Sequence, residues 1–475
     1  MQASSLTSAA RPGELPPAAR WLLLFQFANG INFTIALGAP MVLCAKFLGA
    51  PESVVGTLLS FTPFMVVLQL LASNTAERWG YKRLVLAGWG TRSFMILLAA
   101  PLPLLAARVS HGWLLAVLAL LLLAFNIIRG YTCIGFLPWV SRVIPENCRG
   151  RYFGLDQTFC NTGVLLGLLG SSLFIRAVDG PWKYSVLFIF SWMAGMISVR
   201  FLRLVPGESA SASAAAAPPR EDRSWSELRA AYRRVWASRP FRLVTLYAAL
   251  NSLAMAGFGG FLVVFQRDAL RIRDGNILAL TACGTLGPLL TAMLWGRFTD
   301  RFGSRPALRL GGGLQLAVFV CWALIAGGLL PRPGMTAIAT LFFLSGVAQA
   351  ATALSLTRLL LTFCPPGETT IGITLHGVLV SLCAGTSPLV WGFLLDFLRF
   401  RLPENGFWQP FTVFFLCGLA LVLATQFVLR RIRETRAMPT AAVMVNLFID
   451  WPLSVVSEIG WFNNRPDPDD PDRRA

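Results

Sequence analysis

Twelve runs of mainly apolar residues, each about 20 residues or longer, dominate this chain. A helix of about that length crosses the hydrocarbon core of a bilayer, and lipid offers no hydrogen-bond partner to a non-helical backbone. We therefore expect an all-α integral membrane protein with twelve transmembrane helices. The predicted spans are Arg20–Ala45, Val54–Ala72, Leu84–Ala107, Trp113–Val143, Tyr152–Phe174, Tyr184–Leu204, Phe241–Phe265, Ile277–Trp295, Ala307–Leu330, Met335–Phe363, Thr370–Phe393 and Phe407–Leu429.

Composition excludes several other classes of protein. The 475 residues are 55% hydrophobic and 13% charged, whereas soluble domains carry roughly a quarter charged residues. The net charge of +18 does not predict a nucleic-acid partner, because the arginines lie in short loops between apolar runs rather than in an aromatic-rich groove. The nine cysteines form no C-x-x-C pair, so we expect neither a metal site nor a disulfide framework.

A polar block is repeated in the two parts of the chain. Gly296–Pro306 separates the eighth and ninth spans, and Ser73–Arg83 separates the second and third. Three pairs of residues are each 223 positions apart: Glu77 and Asp300, Arg78 and Arg301, Gly80 and Gly303. Such a repeat predicts two six-helix units around a central cavity.

The second block resembles the loop motif G-x-x-x-D-R-x-G-x-R of the major facilitator superfamily of secondary transporters. The first block is similar to it, with Ser73 in place of the first glycine and Glu77 in place of the aspartate. The resemblance extends from about Arg20 to Arg436. It implies movement of a small solute by alternating access, through a cavity lined by spans 1, 4, 7 and 10.

The predicted organisation has five parts. They are an N-terminal tail (1–19), a six-helix bundle (20–204), a linker (205–240), a second six-helix bundle (241–431) and a C-terminal tail (432–475). Ser224 and Glu227 have capping-box spacing, and the aromatic and arginine residues that follow predict an amphipathic helix on the membrane surface.

Orientation follows from the positive charges. Most of the 41 lysines and arginines fall on the side of the two termini, and cytoplasmic loops carry the positive excess. We expect a multi-pass plasma-membrane protein, in a bacterial inner membrane, with both termini cytoplasmic and no signal peptide. The expected partners are a small-molecule substrate and membrane lipid, and we expect a monomer.

Polar residues form one stripe on each of spans 1, 4, 7 and 10. The predicted substrate-binding residues are Gln26, Asn29, Asn126, Arg129, Tyr247, Asn251 and Gln349. Their spacing puts the members on each span on a common helical face, as a water-accessible cavity would require. The alternative is that these side chains bond one helix to the next inside the bilayer.

Arg129 is the most informative single residue. It lies near the middle of its span, where a charge costs roughly 2.5–3.5 kcal/mol on insertion scales. Its surroundings loosely resemble the superfamily's motif R-x-x-Q-G-x-G, with Thr132 in place of glutamine. Arg129 would hold an anionic substrate group or raise the acidity of a nearby carboxyl. The alternative is that neighbouring carbonyls and amides satisfy it.

Candidates for ion coupling are few. No Asp or Glu lies in the middle of a predicted span, so neither a sodium site nor a deep proton-carrying acid is predicted. Asp156 and His376 are the weak candidates, with a proton as the possible coupling ion. We expect Asp156 to pair with Arg149 or Arg151. Arg92 is expected near a cytoplasmic helix end, where it would snorkel or pair with an acid.

The repeated blocks predict a gate on the terminal side. The predicted gating residues are Glu77, Arg78, Gly80, Arg142, Asp300, Arg301, Gly303 and Arg358. We expect Arg142 and Arg358 to be partners of Glu77 and Asp300, and the two acids to approach helix N-termini of the other bundle. The alternative is that these loops tie helices together within one bundle.

These features predict a secondary transporter that moves a small organic solute, with a bias toward a negatively charged one. No G-x-x-x-x-G-K-[ST] loop is present, so direct drive by ATP is not expected, and neither a cofactor nor enzymatic activity is predicted. Two alternatives stay open at this point. One is a multidrug efflux antiporter, and the other is a membrane sensor or scaffold with the same fold.

Overall fold

The computed structural model describes residues 15–70, 79–145, 148–206, 225–365, 368–402, 407–432 and 434. These ranges contain no β-strand, and twelve of their helices are long and apolar enough to cross a membrane. We number them in chain order: α1 Pro17–Phe47, α2 Glu52–Gln69, α3 Tyr81–Ala107, α4 His111–Val143, α5 Arg149–Ala177, α6 Trp182–Leu204, α7 Arg239–Asp268, α8 Asp274–Phe302, α9 Ser304–Ala326, α10 Met335–Phe363, α11 Ile371–Arg401 and α12 Pro410–Arg431. The twelve predicted spans are confirmed, and most are longer than predicted.

Successive spans run in opposite directions, which gives the molecule two faces. We call the end where α1 begins and α12 ends the terminal face, and the other end the opposite face. Gly80 and Gly303 both lie at the terminal face, each as the N-cap of the next span, with φ of 79° and 93°. Because a positive φ favours glycine, the repeat seen in the sequence is a repeat of backbone geometry.

Two spans are broken at corresponding positions. α1 consists of Pro17–Leu37 and Ala39–Phe47, and α7 consists of Arg239–Met255 and Phe258–Asp268. Pro40 at the start of the second segment of α1 has no N–H to donate to the preceding turn. The second segments of α1 and α7 pack against each other near the opposite face.

The N half (α1–α6) and the C half (α7–α12) meet along two pairs of spans, α2 with α11 and α5 with α8. Glycine makes the first contact close. A Cβ added at Gly56 would lie 2.2 Å from the carbonyl oxygen of Pro388, and one at Gly392 would lie 2.5 Å from that of Glu52. These helix backbones therefore touch without intervening side chains, as small residues permit in membrane proteins.

The helix predicted after Ser224 is present at Trp225–Ala237. It packs against α7 and α11, and Arg234 forms an ion pair with Glu368 at 2.6 Å. The helix is therefore docked on the C half at the terminal face. The two tails up to residue 14 and from residue 435, and most of the linker, lie outside the described residues.

Candidate functional site

Four spans lie between the two lines of contact that join the halves: α1, α4, α7 and α10. Away from the opposite face, none of them packs extensively on the other half within the described ranges. They bound the space between the halves, and they carry all seven predicted substrate-binding residues. The surroundings of those residues differ sharply between the N half and the C half.

In the N half, Arg129 is half-buried on α4. Its Nη1 donates to the carbonyl oxygen of Thr62 at 3.3 Å, and its guanidinium carbon lies 5.3 Å from the centre of the Phe33 ring. It forms no ion pair with any carboxylate in the described part of the chain. One carbonyl and one ring leave most of its five N–H donors available to a ligand.

Asn126, one turn before Arg129, is fully buried. Its Nδ2 donates to the carbonyl oxygen of Leu122 at 2.9 Å, and its Oδ1 accepts from Thr62 Oγ1 at 3.0 Å. Asn126 therefore joins α4 to α2 at the residue whose carbonyl Arg129 contacts. This places Asn126 behind Arg129 as a support for it.

Arg92 on α3 is buried, with 1% of its surface exposed. Its Nη2 donates to Asn29 Oδ1 at 2.6 Å, and its guanidinium lies 4.3 Å from the ring centre of Trp89 and 5.3 Å from that of Phe125. The prediction that Arg92 lies near a helix end and snorkels was wrong, because two aromatic rings and an amide enclose it. Asn29 faces this cation instead of open space, and it also accepts from Trp89 Nε1 at 3.2 Å.

The weak coupling candidates are each bound within their own half. Asp156 accepts from Gln26 Nε2 at 2.9 Å and from Tyr152 at 3.0 Å. Its described partners are thus neutral side chains, and the expected pairing with a loop arginine was wrong. His376 Nδ1 lies 3.1 Å from Thr245 Oγ1, which joins α11 to α7.

In the C half, the remaining three predicted residues line one pocket of about 220 Å³. Tyr247 is buried, Asn251 is half-buried and Gln349 is exposed where the pocket opens between α7 and α10. The pocket continues behind these two helices to Gln315 on α9 and Thr425 on α12. The sequence did not predict the contribution of α9 and α12.

The opposite face is closed by ion pairs between the halves. Lys46 of the N half binds Asp268 of the C half at 2.9 Å, and Arg399 of the C half binds Glu52 of the N half at 2.7 Å. Asp396 accepts from the backbone N–H of Glu52 and from the next N–H along, at 3.0 and 2.8 Å. A carboxylate from one half thus occupies the N-terminus of a helix in the other, where the helix dipole stabilises it.

A second cluster at this face surrounds Asp274, the first residue of α8. It forms an ion pair with Lys183 at 3.5 Å and accepts a hydrogen bond from Tyr184, both from the N half. Ser172 also donates to the carbonyl oxygen of Gly275 at 2.7 Å. Neither cluster was among the residues predicted from the sequence.

A signal for these clusters was present in the sequence. Lys46 and Asp268 are 222 positions apart, and so are Glu52 and Asp274. The repeat therefore places a charged residue at the end of α1 and of α7, and an acid at the start of α2 and of α8. This offset is one residue shorter than the 223 positions that separate the two polar blocks, so the charged span ends repeat in nearly the same register.

Comparison with known proteins identifies the family. The family described as "MFS/sugar transport protein" matches residues 20–397. The chain belongs to this family. An uncharacterized MFS-type transporter of Mycobacterium tuberculosis is 25% identical over 410 residues, covering 79% of this chain and 89% of the relative.

Solved structures share the fold of this MFS protein. A D-xylose–proton symporter superposes with a TM-score of 0.65 at 14% identity, over 89% of this chain and 98% of the symporter. The nucleoside transporter NupG gives 0.62 at 14% identity, over 86% and 98%. A bacterial homologue of the iron transporter ferroportin in its inward-facing state gives 0.64 at 15%, over 87% and 98%.

Asp300, in the second of the two MFS blocks, contacts its own half. Asp300 binds Arg358 at 3.0 Å, and the side chains are 81% and 40% exposed. Arg358 also donates to the carbonyl oxygen of Thr299, so the pair joins α8 to α10 within the C half.

The other predicted gating arginines lie against aromatic rings. Arg301 lies 5.3 Å from the Phe302 ring, and Arg142 lies 4.8 Å from the Tyr81 ring. Glu77 and Arg78 lie outside the described residues.

One basic residue of each polar block binds a backbone carbonyl at the end of the last span of its own half. Lys82 donates to the carbonyl oxygen of Val205 just after α6, and Arg305 donates to that of Arg430 at the end of α12. Within the described ranges, no side-chain hydrogen bond or ion pair joins the halves at the terminal face. Among the described residues, Asp300 thus contacts its own half and not the start of α5. The contact predicted for Glu77 lies outside the described residues, and the gating role of both acids stays a prediction.

Proposed function

We propose that this MFS protein is a secondary transporter that moves a small organic anion by alternating access and catalyses no chemical reaction. We further propose that the terminal face is cytoplasmic, as the distribution of arginine and lysine favours. The conformation is then inward-facing, with the outer side closed. The observation that supports an anionic substrate is Arg129, which is half-buried on α4 and has no carboxylate partner in the described part of the chain.

Electrostatics favours an anion in the N half. Buried or half-buried charges in a membrane protein are normally paired. Here Arg92 and Arg129 share the neighbourhood of α1 and α4, and their described contacts are amides, carbonyls and aromatic rings. A ligand carboxylate or phosphate at Arg129 would supply the missing negative charge through charge-assisted hydrogen bonds. A cationic drug would meet repulsion there.

The contacts between halves support rocking. Ion pairs and helix termini hold the halves together at the opposite face, whereas at the terminal face the described polar contacts stay within one half. Closing the terminal face while breaking the ion pairs at the other would expose the central space to the other compartment. A proton is the proposed coupling ion.

Proteoliposome uptake tests the proposal. Radiolabelled organic anions, neutral sugars and lipophilic cations would be offered separately, with and without a pH gradient. We expect uptake of an anion that the gradient changes, and its loss in Arg129→Ala. Arg200→Ala, an exposed arginine on α6, is the matched control and should transport normally.

The other outcomes separate the alternatives. Uptake confined to lipophilic cations would indicate multidrug efflux, and no uptake of any class by well-folded protein would favour a sensor or scaffold. Anion uptake that is unchanged in Arg129→Ala would remove this residue from the substrate site.

A further inference from the structure

The C-half pocket is built from neutral groups that both donate and accept hydrogen bonds. Its polar lining comes from α7, α9, α10 and α12, and no ionisable side chain other than a tyrosine contributes. The polar lining residues are Tyr247, Asn251, Gln315, Gln349, Thr352 and Thr425. The site therefore differs in chemistry from the arginine-containing wall of the N half.

Two side-chain amides in this pocket have unused hydrogen-bonding capacity. Gln315 is only 5% exposed, and its Nε2 has no partner in the described structure. Its Oε1 is 3.5 Å from Ser345 Oγ, which in turn accepts from Gln349 Nε2 at 3.3 Å. Asn251 makes no side-chain hydrogen bond to another described residue. A buried amide left without a partner is costly, and most buried polar groups in native proteins are satisfied.

A threonine hydroxyl adds an acceptor. Thr352 donates to the carbonyl oxygen of Ala348 at 2.9 Å, and because its proton is already used, what it offers the pocket is oxygen lone pairs. Thr425 donates to the carbonyl oxygen of Val422 at 2.7 Å and already accepts from Gln426 Nε2 at 3.5 Å, so it adds less. Free amide donors beside free acceptors suit a ligand group that can do both, which is a hydroxyl. A carboxylate could use only the donors.

The size of the pocket limits what enters it. A volume of about 220 Å³ lies below the roughly 300–1,000 Å³ of pockets that enclose a whole drug-sized ligand. It suits one part of a ligand, such as a short hydroxylated chain.

We propose that this pocket binds the hydroxyl-bearing part of the substrate, and that Gln315 on α9 determines this specificity. The inference rests on the proposed function, in which Arg129 binds the anionic group. The substrate class is then a hydroxylated organic anion, recognised by its charge in the N half and by its hydroxyl groups in the C half. Such a ligand has differential contacts with both halves, which is what coupling to their movement requires.

Three probes with the same six-carbon chain separate recognition of the charge from recognition of the hydroxyl groups. Gluconate has both the charge and the hydroxyls, hexanoate has the charge alone, and sorbitol has the hydroxyls alone. Apparent Kd values would come from ligand-dependent thermal stabilisation of the purified full-length protein. We expect gluconate to bind about tenfold more tightly than either of the others, as one or two net hydrogen bonds allow.

Gln315→Leu is the test variant. It should weaken gluconate binding about tenfold, to the level of hexanoate, and leave hexanoate unchanged. Because it removes an unsatisfied buried amide, it should not lower the unliganded Tm. Gln266→Leu is the matched control, since Gln266 is a fully buried glutamine of the C half that also lacks partners but lies outside the pocket. Gln349→Met at the pocket mouth provides a second variant.

The outcomes are distinguishable. Full gluconate preference in Gln315→Leu and in Gln349→Met would overturn the pocket assignment and leave anion transport intact. Sorbitol binding as tight as gluconate, with Arg129→Ala harmless, would overturn the anionic substrate and support the pocket. No preference of the wild type for gluconate over hexanoate, or no stabilisation by any probe, would overturn the inference.

Discussion

The guanidinium of Arg92 lies inside the N half with one side-chain oxygen, that of Asn29, as its described acceptor. Removing that oxygen alone would leave a buried charge unsolvated, whereas removing both groups would leave an apolar contact. Asn29→Leu should therefore destabilise the protein by about 1.5–3 kcal/mol, the range for hydrogen bonds to charged groups. The double variant Asn29→Leu/Arg92→Met should cost less than Asn29→Leu alone.

Thermal unfolding in detergent of the wild type, the two single variants and the double variant measures this coupling. Additive effects of the two substitutions would show that Asn29 does not stabilise the charge of Arg92. Arg129→Ala, which removes a half-buried cation from another helix, should leave the Tm close to that of the wild type.

Residue-level predictions from the sequence succeeded where helical periodicity decides the answer. Tyr247, Asn251 and Gln349 share faces on α7 and α10, and they line one pocket. Periodicity gives the face of a helix but not the side chain opposite it. For that reason the pairing of Gln26 with Asp156 could not be read from the sequence, nor could the enclosure of Arg92 between two aromatic rings.

At the scale of elements, the contact of α2 with α11 depends on glycine. A Cβ at position 56 would lie 2.2 Å from the Pro388 carbonyl oxygen, so Gly56→Val must push the two spans apart. Overpacking of this kind typically costs 1–3 kcal/mol, which corresponds to about 5- to 150-fold in an equilibrium constant. We expect the closed opposite face to be depopulated by that factor.

Hydrogen exchange measured by mass spectrometry tests this at the opposite-face ends of α2 and α11, where exchange should accelerate. Gly170→Val on α5 is the matched control, because a Cβ there meets no atom within 4 Å. Equal acceleration in both variants would indicate a general loss of helix stability and contradict the proposed role of the glycine contact.

The existence and order of the spans followed from hydrophobic runs, but their interruptions did not. α2 tightens into a 3-10 helix at Met65–Leu70 after Pro63, and α4 does so at Cys133–Gly135. Apolar composition continues through these turns, so hydropathy alone cannot detect them. The breaks in α1 and α7 matter most, because they allow the second segments to meet and cap the central space.

At the scale of the molecule, a sequence specifies a fold that can close at either face, but the pattern of residues does not say which face is closed. The repeated polar blocks predicted gating contacts at the terminal face, because their residues recur as a contiguous motif. The opposite face uses separate charges at the ends of six spans (α1, α2, α6, α7, α8 and α11), and these become clusters only when the halves are assembled. The closed state was therefore visible only in the structure.

The closure predicts a specific response to Arg399→Gln. Arg399 is the cross-half partner of Glu52, whose side chain is 2% exposed, so salt screens this ion pair weakly. Without Arg399, the buried carboxylate of Glu52 has Lys46 as its one remaining described ion-pair partner. The equilibrium between the two conformations should then shift toward opening of the opposite face.

Under alternating access, opening of the opposite face accompanies closing of the terminal face. Hydrogen exchange should then rise in the α1–α2 and α7–α8 loops and fall at the terminal-face ends of α8 and α9, on either side of Gly303. Arg401→Gln is the matched control, because Arg401 stacks on Phe397 of its own helix and should change neither face. A rise at both faces in Arg399→Gln would indicate loosening of the whole protein, and would contradict a rocking movement of two rigid halves.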